Sequence, residues 1–265
     1  MAEKLALLGG EPAITLPQDT YTQWPIYGEE EVEAVSALIR DHQLSSSHAG
    51  GPIVELEKAV ARRWGVRYAI AHSSGTAALR AALFGVGVGR GDEVIVQSAV
   101  HPYACVPIVG CGAIPVFADI DPLTLTLDPA DVERRITPRT RALFVVHFKG
   151  MAADMDALLD LARRHDLKVV EDNCVSQGTR HRGRMCGSLG DAAGISFQDG
   201  KMTSGGEGGI FITDDEECYQ RAATLGHYER LGDFPNPQYR GVSGFCFGEK
   251  YRMATLTAAI GCVQM

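Results

Sequence analysis

Lys201 is the only basic residue between Arg184 and Arg221, and it stands inside GISFQDGKMTSGGEGGIFIT, residues 194–213. That stretch reads as an apolar strand, a tight polar turn carrying the lysine, a glycine-rich corner and a second apolar strand. An amine isolated among glycines and hydroxyl side chains at the mouth of two apolar strands can be desolvated until a free, nucleophilic amine remains. This is the chemistry of a Schiff-base lysine; the plainer alternative is a solvated loop lysine. Asp172 follows KVVE at the end of a strand that should be buried on both faces, where a carboxylate is costly without a cationic partner. A pyridinium N–H would be such a partner and would keep the ring protonated as an electron sink; the alternative is an aspartate that caps a turn with Asn173. Ser74-Gly75-Thr76 closes one strand and opens an alanine-rich helix, so its first-turn N–H groups and the helix dipole suit a phosphate. As an ordinary N-cap the same triplet would be unremarkable, and it lacks the lysine and glycine spacing of a Walker loop. Ser196 turns a hydroxyl toward the same sheet end, with a satisfied strand serine as its simpler reading. His101, ahead of Pro102 and Tyr103, offers an aromatic plane to a ring, or else is a first-turn residue satisfied by backbone. His147, after ALFVV, reads as a supporting residue.

Certain elements must position these groups. From Val66 onward short apolar strands alternate with helices: YAIA then GTAALRAALFGV, EVIV then HPYACVPIVGC, PVFA then PADVERRI, ALFVV then MDALLDLARRH, and KVV. Strict alternation predicts an α/β fold of three layers, α/β/α, with a mostly parallel central sheet. Ligands of such sheets sit at the carboxyl ends of the strands, where all the residues above fall. Upstream, Glu29 to Asp41 is a helix with Val32, Val35, Leu38 and Ile39 on one face, and Pro52 to Trp64 a helix presenting Val54, Leu56, Val60 and Trp64. Residues 1–27 lack periodicity and read as an extended arm anchored by Tyr21, Trp24 and Tyr27. His42 and His48, in the loop between the two helices, read as solvated.

With 265 residues, 45% of them hydrophobic, the chain can bury the core of one large α/β domain. A formal charge of −8 with no block of like charges argues against nucleic acid and anionic membrane as partners. The seven cysteines are scattered without a C-x-x-C pair, which argues for reduced thiols in a cytoplasm and against a disulfide framework or a structural zinc; no metal site is expected. The apolar run near the N-terminus is too short for a signal sequence, and no segment approaches membrane length.

In the segments WPIYGEEEVEAV, HSSGTAALRAAL, GCGAIPVFADIDPLTLTLD, RALFVVHFKGMAADMDAL, VVEDN, GSLGDAAGISFQDGKMTSGGEGGIFITDDEE and KYRMATLTAAIGCVQM the sequence resembles the DegT/DnrJ/StrS family of sugar and cyclitol aminotransferases, which use pyridoxal phosphate on a type-I fold. The likeness runs through nearly the whole chain in the family's order. It implies that Lys201 is the Schiff-base lysine and Asp172 the partner of the pyridine nitrogen. Gly75 and Thr76, with Ser74 before them and Ser196, would hold the phosphate, and His101 would stack on the ring. The wording around Lys201 is closest to members that act on keto-cyclitols or make 3-amino-5-hydroxybenzoate. The resemblance further implies an amino-acid donor, glutamine, a keto-sugar or keto-cyclitol acceptor, and a homodimer.

Three departures bear on this. The glutamine that usually follows the ring-binding aspartate by three residues is Val175 here, with Gln177 the nearest substitute. The usual asparagine before Y-R-M, which reaches the partner subunit's phosphate, is Lys250, still able to meet a phosphate as a point charge. The third is domain organisation: residues 1–27 as arm, 28–250 as the cofactor-binding large domain, and 251–265 as the start of a helix leading to a small domain that the sequence does not contain. On that expectation part of the LTAAIGCV helix would lie uncovered. Two rival readings stay open: a dehydratase of the same family using pyridoxamine phosphate, which Lys201 opposes because such enzymes replace the lysine, usually with histidine, and a catalytically silent binding fragment or scaffold.

Overall fold

Runs such as ALFVV and GIFI carry no polar face, so both of their sides must be covered, and this dictates how the chain packs. In the computed structural model, which describes residues 4–16, 24–45, 50–240 and 249–265, they form a seven-stranded sheet. Its strands are β1 (Tyr68–His72), β2 (Glu93–Gln97), β3 (Ile114–Ala118), β4 (Thr140–Val146), β5 (Lys168–Asp172), β8 (Ala192–Ser196) and β9 (Gly209–Thr213), in the order β1-β9-β8-β5-β4-β2-β3. Only β9 runs antiparallel to its neighbours; every other pairing within the sheet is parallel. A short separate hairpin, β6 (Arg180–His181) with β7 (Arg184–Met185), follows β5 and was not legible as strand in the sequence.

Side chains alternate across the sheet and divide the core. Ile70, Val94, Val96, Phe144, Val170 and Phe211 face α3 (Gly75–Gly85), α4 (Val106–Gly110) and α7 (Glu216–Thr224). On the opposite face Ile195, Ile210 and Ile212 meet α2 (Pro52–Trp64), while Leu143, Val145 and Val169 pack among Val132 of α5 (Pro129–Arg135) and Leu158 and Leu161 of α6 (Met155–Arg164). The three-layer α/β/α architecture with a mostly parallel sheet is therefore what the alternation of elements produces.

Helix α1 (Glu29–Arg40) departs from its expected face. Val32 and Ile39 are 57% and 54% exposed, whereas Leu38 and Glu31 are buried. Glu31 goes inward because it is fully used: one oxygen accepts from Gly28 N at 2.7 Å and the other from Gln264 Nε2 at 2.7 Å. In α2 the expected Leu56, Val60 and Trp64 are buried, joined by Ile53. After the short helix α8 (Pro237–Arg240), helix α9 (Thr255–Gln264) lies against α1 and α2 with Thr255, Ala258, Ala259 and Gly261 buried. Its larger apolar residues are half-buried, so the helix is covered in part and open in part. Among the described residues no helix is long and apolar enough to cross a membrane, and the six described cysteines are free thiols. Tyr21 and His48 fall outside the described residues.

Candidate active site

The carboxyl ends of β1, β5 and β8 converge, and three glycines let them do so. At Gly75 a Cβ would lie 2.8 Å from Ser196 Cβ and 3.1 Å from its Oγ; at Gly209 it would lie 2.4 Å from the Ser74 carbonyl oxygen. At Gly194 it would strike Leu79 at 2.6 Å. The start of α3 is thereby pressed onto the ends of β8 and β9, with Ser74, Gly75 and Ser196 in one place. Ser74 caps the helix, its Oγ accepting from Ala77 N at 3.1 Å. The amides of Gly75 and Thr76 precede the first helical bonds, the arrangement that binds phosphate.

Lys201 stands on the loop between β8 and β9, half-buried, where the sequence places it. Phe197 N to Gly208 O, Asp199 N to Gly206 O and Gly205 N to Phe197 O, at 2.8, 2.8 and 2.9 Å, close the base of the loop, and Gly200 turns it with φ of +90°. Gln177 holds the inner side, donating to the Ser196 carbonyl at 2.5 Å and accepting from Thr203 N at 2.9 Å. The outer side is held by the arm: Trp24 Nε1 donates to the Lys201 carbonyl at 3.0 Å, and the Tyr27 hydroxyl bonds Ser204 Oγ at 2.8 Å and Asp199 at 3.2 Å. The expected anchors Trp24 and Tyr27 thus seat the arm on the lysine loop itself.

Asp172 ends β5 and is 6% exposed. One oxygen accepts from Cys174 N at 2.9 Å, so the turn-capping role is real and coexists with any other. Burial pushes this carboxyl above the usual range; the Cys174 amide and the positive charge of Lys201 pull the other way without cancelling it. An acid in that condition is short of a cationic donor. Beside it, Glu171 is the opposite case. Burial alone would raise it, but His147 Nε2 at 2.8 Å and the amides of Gly190, Gly187 and Leu189 at 2.6, 2.7 and 2.7 Å hold it below the ordinary range. The ring of His147 also accepts, at Nδ1, from Ala153 N at 3.2 Å, and its backbone amide donates to the Asp172 carbonyl at 3.1 Å. It bonds within the sheet end, as a supporting residue.

Two expected residues are not drawn into this group. His101 stays exposed, its ring stacked on Tyr103 with centroids 5.1 Å apart. Lys250 is exposed on the segment whose Tyr251 carbonyl accepts from Ser73 N at 2.7 Å, which sets it near the cap of α3. Val175 is 42% exposed, while Gln177 has both ends of its amide engaged by the lysine loop. Trp24 and Tyr27 were expected as anchors and Gln177 as a substitute glutamine, but that all three act on the lysine loop was not legible in the sequence, since the partners lie in other segments of the chain. Asp154, Asp156 and His181 form a surface cluster of metal-ligand types among the described residues, but Arg182 occupies Asp156 at 2.6 Å.

A lysine and an ionisable aspartate at strand ends, beside a glycine-opened helix N-terminus, are what a type-I pyridoxal phosphate site requires. The model of the DegT/DnrJ/EryC1/StrS aminotransferase family matches residues 25–265. The chain belongs to this family. Among its relatives, GDP-perosamine synthase of Caulobacter vibrioides is 44% identical over 83% of this chain and 57% of its own length. A putative L-glutamine:3-amino-2,3-dideoxy-scyllo-inosose aminotransferase of Micromonospora echinospora is 36% identical over 98% of this chain and 61% of its own. The solved aminotransferase of Psychrobacter cryohalolentis superposes with a TM-score of 0.84 at 31% identity, covering 92% of this chain and 62% of that one. The chain therefore spans about three fifths of the length of these relatives. The family's cofactor is pyridoxal phosphate, and the residues fit it: Gly75 keeps open a cradle that a single methyl group would fill, and the buried Asp172 calls for a cation.

Proposed function

We propose that the chain carries the cofactor-binding and catalytic residues of a pyridoxal phosphate-dependent aminotransferase that moves an amino group from an amino-acid donor to a keto-sugar or keto-cyclitol. The observation that carries this reading is the buried Asp172 at the end of β5, near enough to Lys201 to feel its positive charge, beside the glycine-opened amides that start α3. When bound, pyridoxal phosphate supplies a carbonyl for the amino group and a ring that withdraws electrons from the donor's α-carbon. Lys201 Nζ would hold the cofactor covalently and, when free, would serve as the base for the donor's α-proton. Asp172 would keep the ring nitrogen protonated. The amides of Gly75 and Thr76, the hydroxyl of Ser196 and the cap formed by Ser74 would hold the phosphate, Lys250 would add a positive charge, and His101, exposed and stacked on Tyr103, would have to turn its free face to the ring to cover it.

Glutamine is the donor in the name of the Micromonospora relative, and it is the donor we assign. The names of the two relatives divide between a nucleotide sugar and a cyclitol, so the acceptor is assigned as a class. Residues 28–250 form the cofactor-binding body, 1–27 its arm, and the working unit is a cytoplasmic homodimer. The dehydratase reading is disfavoured by the amine at position 201. Reconstitution with pyridoxal phosphate is expected to give a yellow protein whose visible band disappears on borohydride treatment, with the reduced adduct mapped to Lys201. An adduct on Lys149 or Lys250, or none, overturns the assignment.

A further inference from the structure

The tip of the lysine loop is held from outside by residues that no account of the chemistry has used. Within the loop the Lys201 amide donates to Gln198 O at 3.1 Å, but the Lys201 carbonyl receives its hydrogen bond from the indole of Trp24, 177 residues away in sequence. Tyr27 grips the same loop on both sides of the lysine, at Asp199 and Ser204. The arm that brings these rings has its own fixed point: Gln264 Nε2 of α9 donates to the Ile26 carbonyl at 3.1 Å and to Glu31 at 2.7 Å. Arm, last helix and lysine loop are therefore one connected set of hydrogen bonds. A peptide plane fixed at its carbonyl fixes the direction in which Cα–Cβ leaves the backbone, and so the arc that Nζ can sweep.

We propose that Trp24 and Tyr27 are positioning residues for Lys201: by holding the carbonyl of Lys201 and the flanking residues of its loop, they aim the amine at the cofactor carbon and set its distance from Asp172. This rests on the reading of Lys201 as the cofactor lysine. The consequence is specific. With the indole N–H gone the Lys201 peptide is free to rotate, the spacing between amine and carboxylate is no longer held, and the proton affinity of the lysine nitrogen in its covalent link changes, because that affinity depends on the nearby negative charge. A residue that only tethered the arm would leave it unchanged.

The test uses Trp24→Phe, which keeps an aromatic ring and removes the donor, and Tyr27→Phe, each reconstituted with pyridoxal phosphate beside the wild type. The readouts are cofactor stoichiometry, the pH midpoint of the visible band, the rate of borohydride reduction and the melting temperature of the cofactor-free protein. The expected result is full stoichiometry and an unchanged melting temperature, with a midpoint displaced by about half a pH unit or more and a reduction rate altered several-fold. An unchanged midpoint and rate overturn the proposal. So does a uniform fall in stoichiometry and melting temperature with no change in midpoint, since that describes a tether. A wild-type protein without an adduct on Lys201 overturns instead the functional reading beneath it.

Discussion

Asp172 carries a prediction in the cofactor-free protein as well as in the enzyme. Its folded pKa lies above the ordinary carboxylate value, so through the window from that value up to the raised one the folded state binds more protons than the unfolded state. Stability from this group therefore falls as pH rises through the window, and the charge is an unrelieved cost above it. Asp172→Asn removes the cost. Denaturant titrations are expected to show the cofactor-free variant gaining on the wild type as pH rises from the acid side to neutrality; parallel curves would mean that Asp172 is not strained by burial. With cofactor and substrates the same variant should keep its ligand and lose about 10²–10³-fold in turnover, the usual scale for one preorganised electrostatic contact. Glu171 is the reverse case, depressed and fully bonded. Glu171→Ala strands the amides of Gly187, Leu189 and Gly190 together with His147. A loss of about 3–5 kcal/mol in urea unfolding is expected, as for one partner removed from a buried pair, and a loss below 1 kcal/mol would contradict it.

At the scale of elements, the proposed phosphate cradle depends on the close approach of α3 to β8 and β9. Gly209→Ala would put a methyl carbon 2.4 Å from the Ser74 carbonyl oxygen and 2.5 Å from Gly75 N, both backbone atoms that yield only if the helix start moves. The expected outcome is about 1–3 kcal/mol of overpacking strain together with weaker retention of pyridoxal phosphate, although neither Lys201 nor Asp172 is touched. Equilibrium dialysis of the variant checks the second part; unchanged retention would show that the cradle does not depend on this contact. The loop between β8 and β9 makes the related point that an element can be rigid without regular structure when Gln177 pins one side and the arm the other.

For the whole molecule, the arm from Leu5 to Leu16 and the edge around β3 leave large apolar side chains open, Leu7, Val109 and Phe117 among them. Apolar surface of this extent favours association, in keeping with the proposed homodimer. Sedimentation equilibrium of the reconstituted chain is expected to give twice the chain mass; a monomer at all concentrations would remove the dimer from the proposal and leave Lys250 without a phosphate on a partner to reach.

Strand–helix alternation in the amino acids alone determined the three-layer sheet, because a strand buried on both faces must be apolar throughout and its chemistry can appear only where the apolar run ends. For the same reason Asp172, Ser196 and the Ser74–Thr76 turn could be read as candidate site residues before any fold was known, and the lone amine of Lys201 stood out by composition. Tertiary structure decided what local pattern does not record. Val32 and Ile39 match a helical face yet point to solvent, because Glu31 found two donors inside. His101 stacks on Tyr103, a contact that its place ahead of a helix does not announce. Gln177, Trp24 and Tyr27 converge on the lysine loop from segments remote in sequence, and a contact across such a separation leaves no periodicity in either segment to betray it.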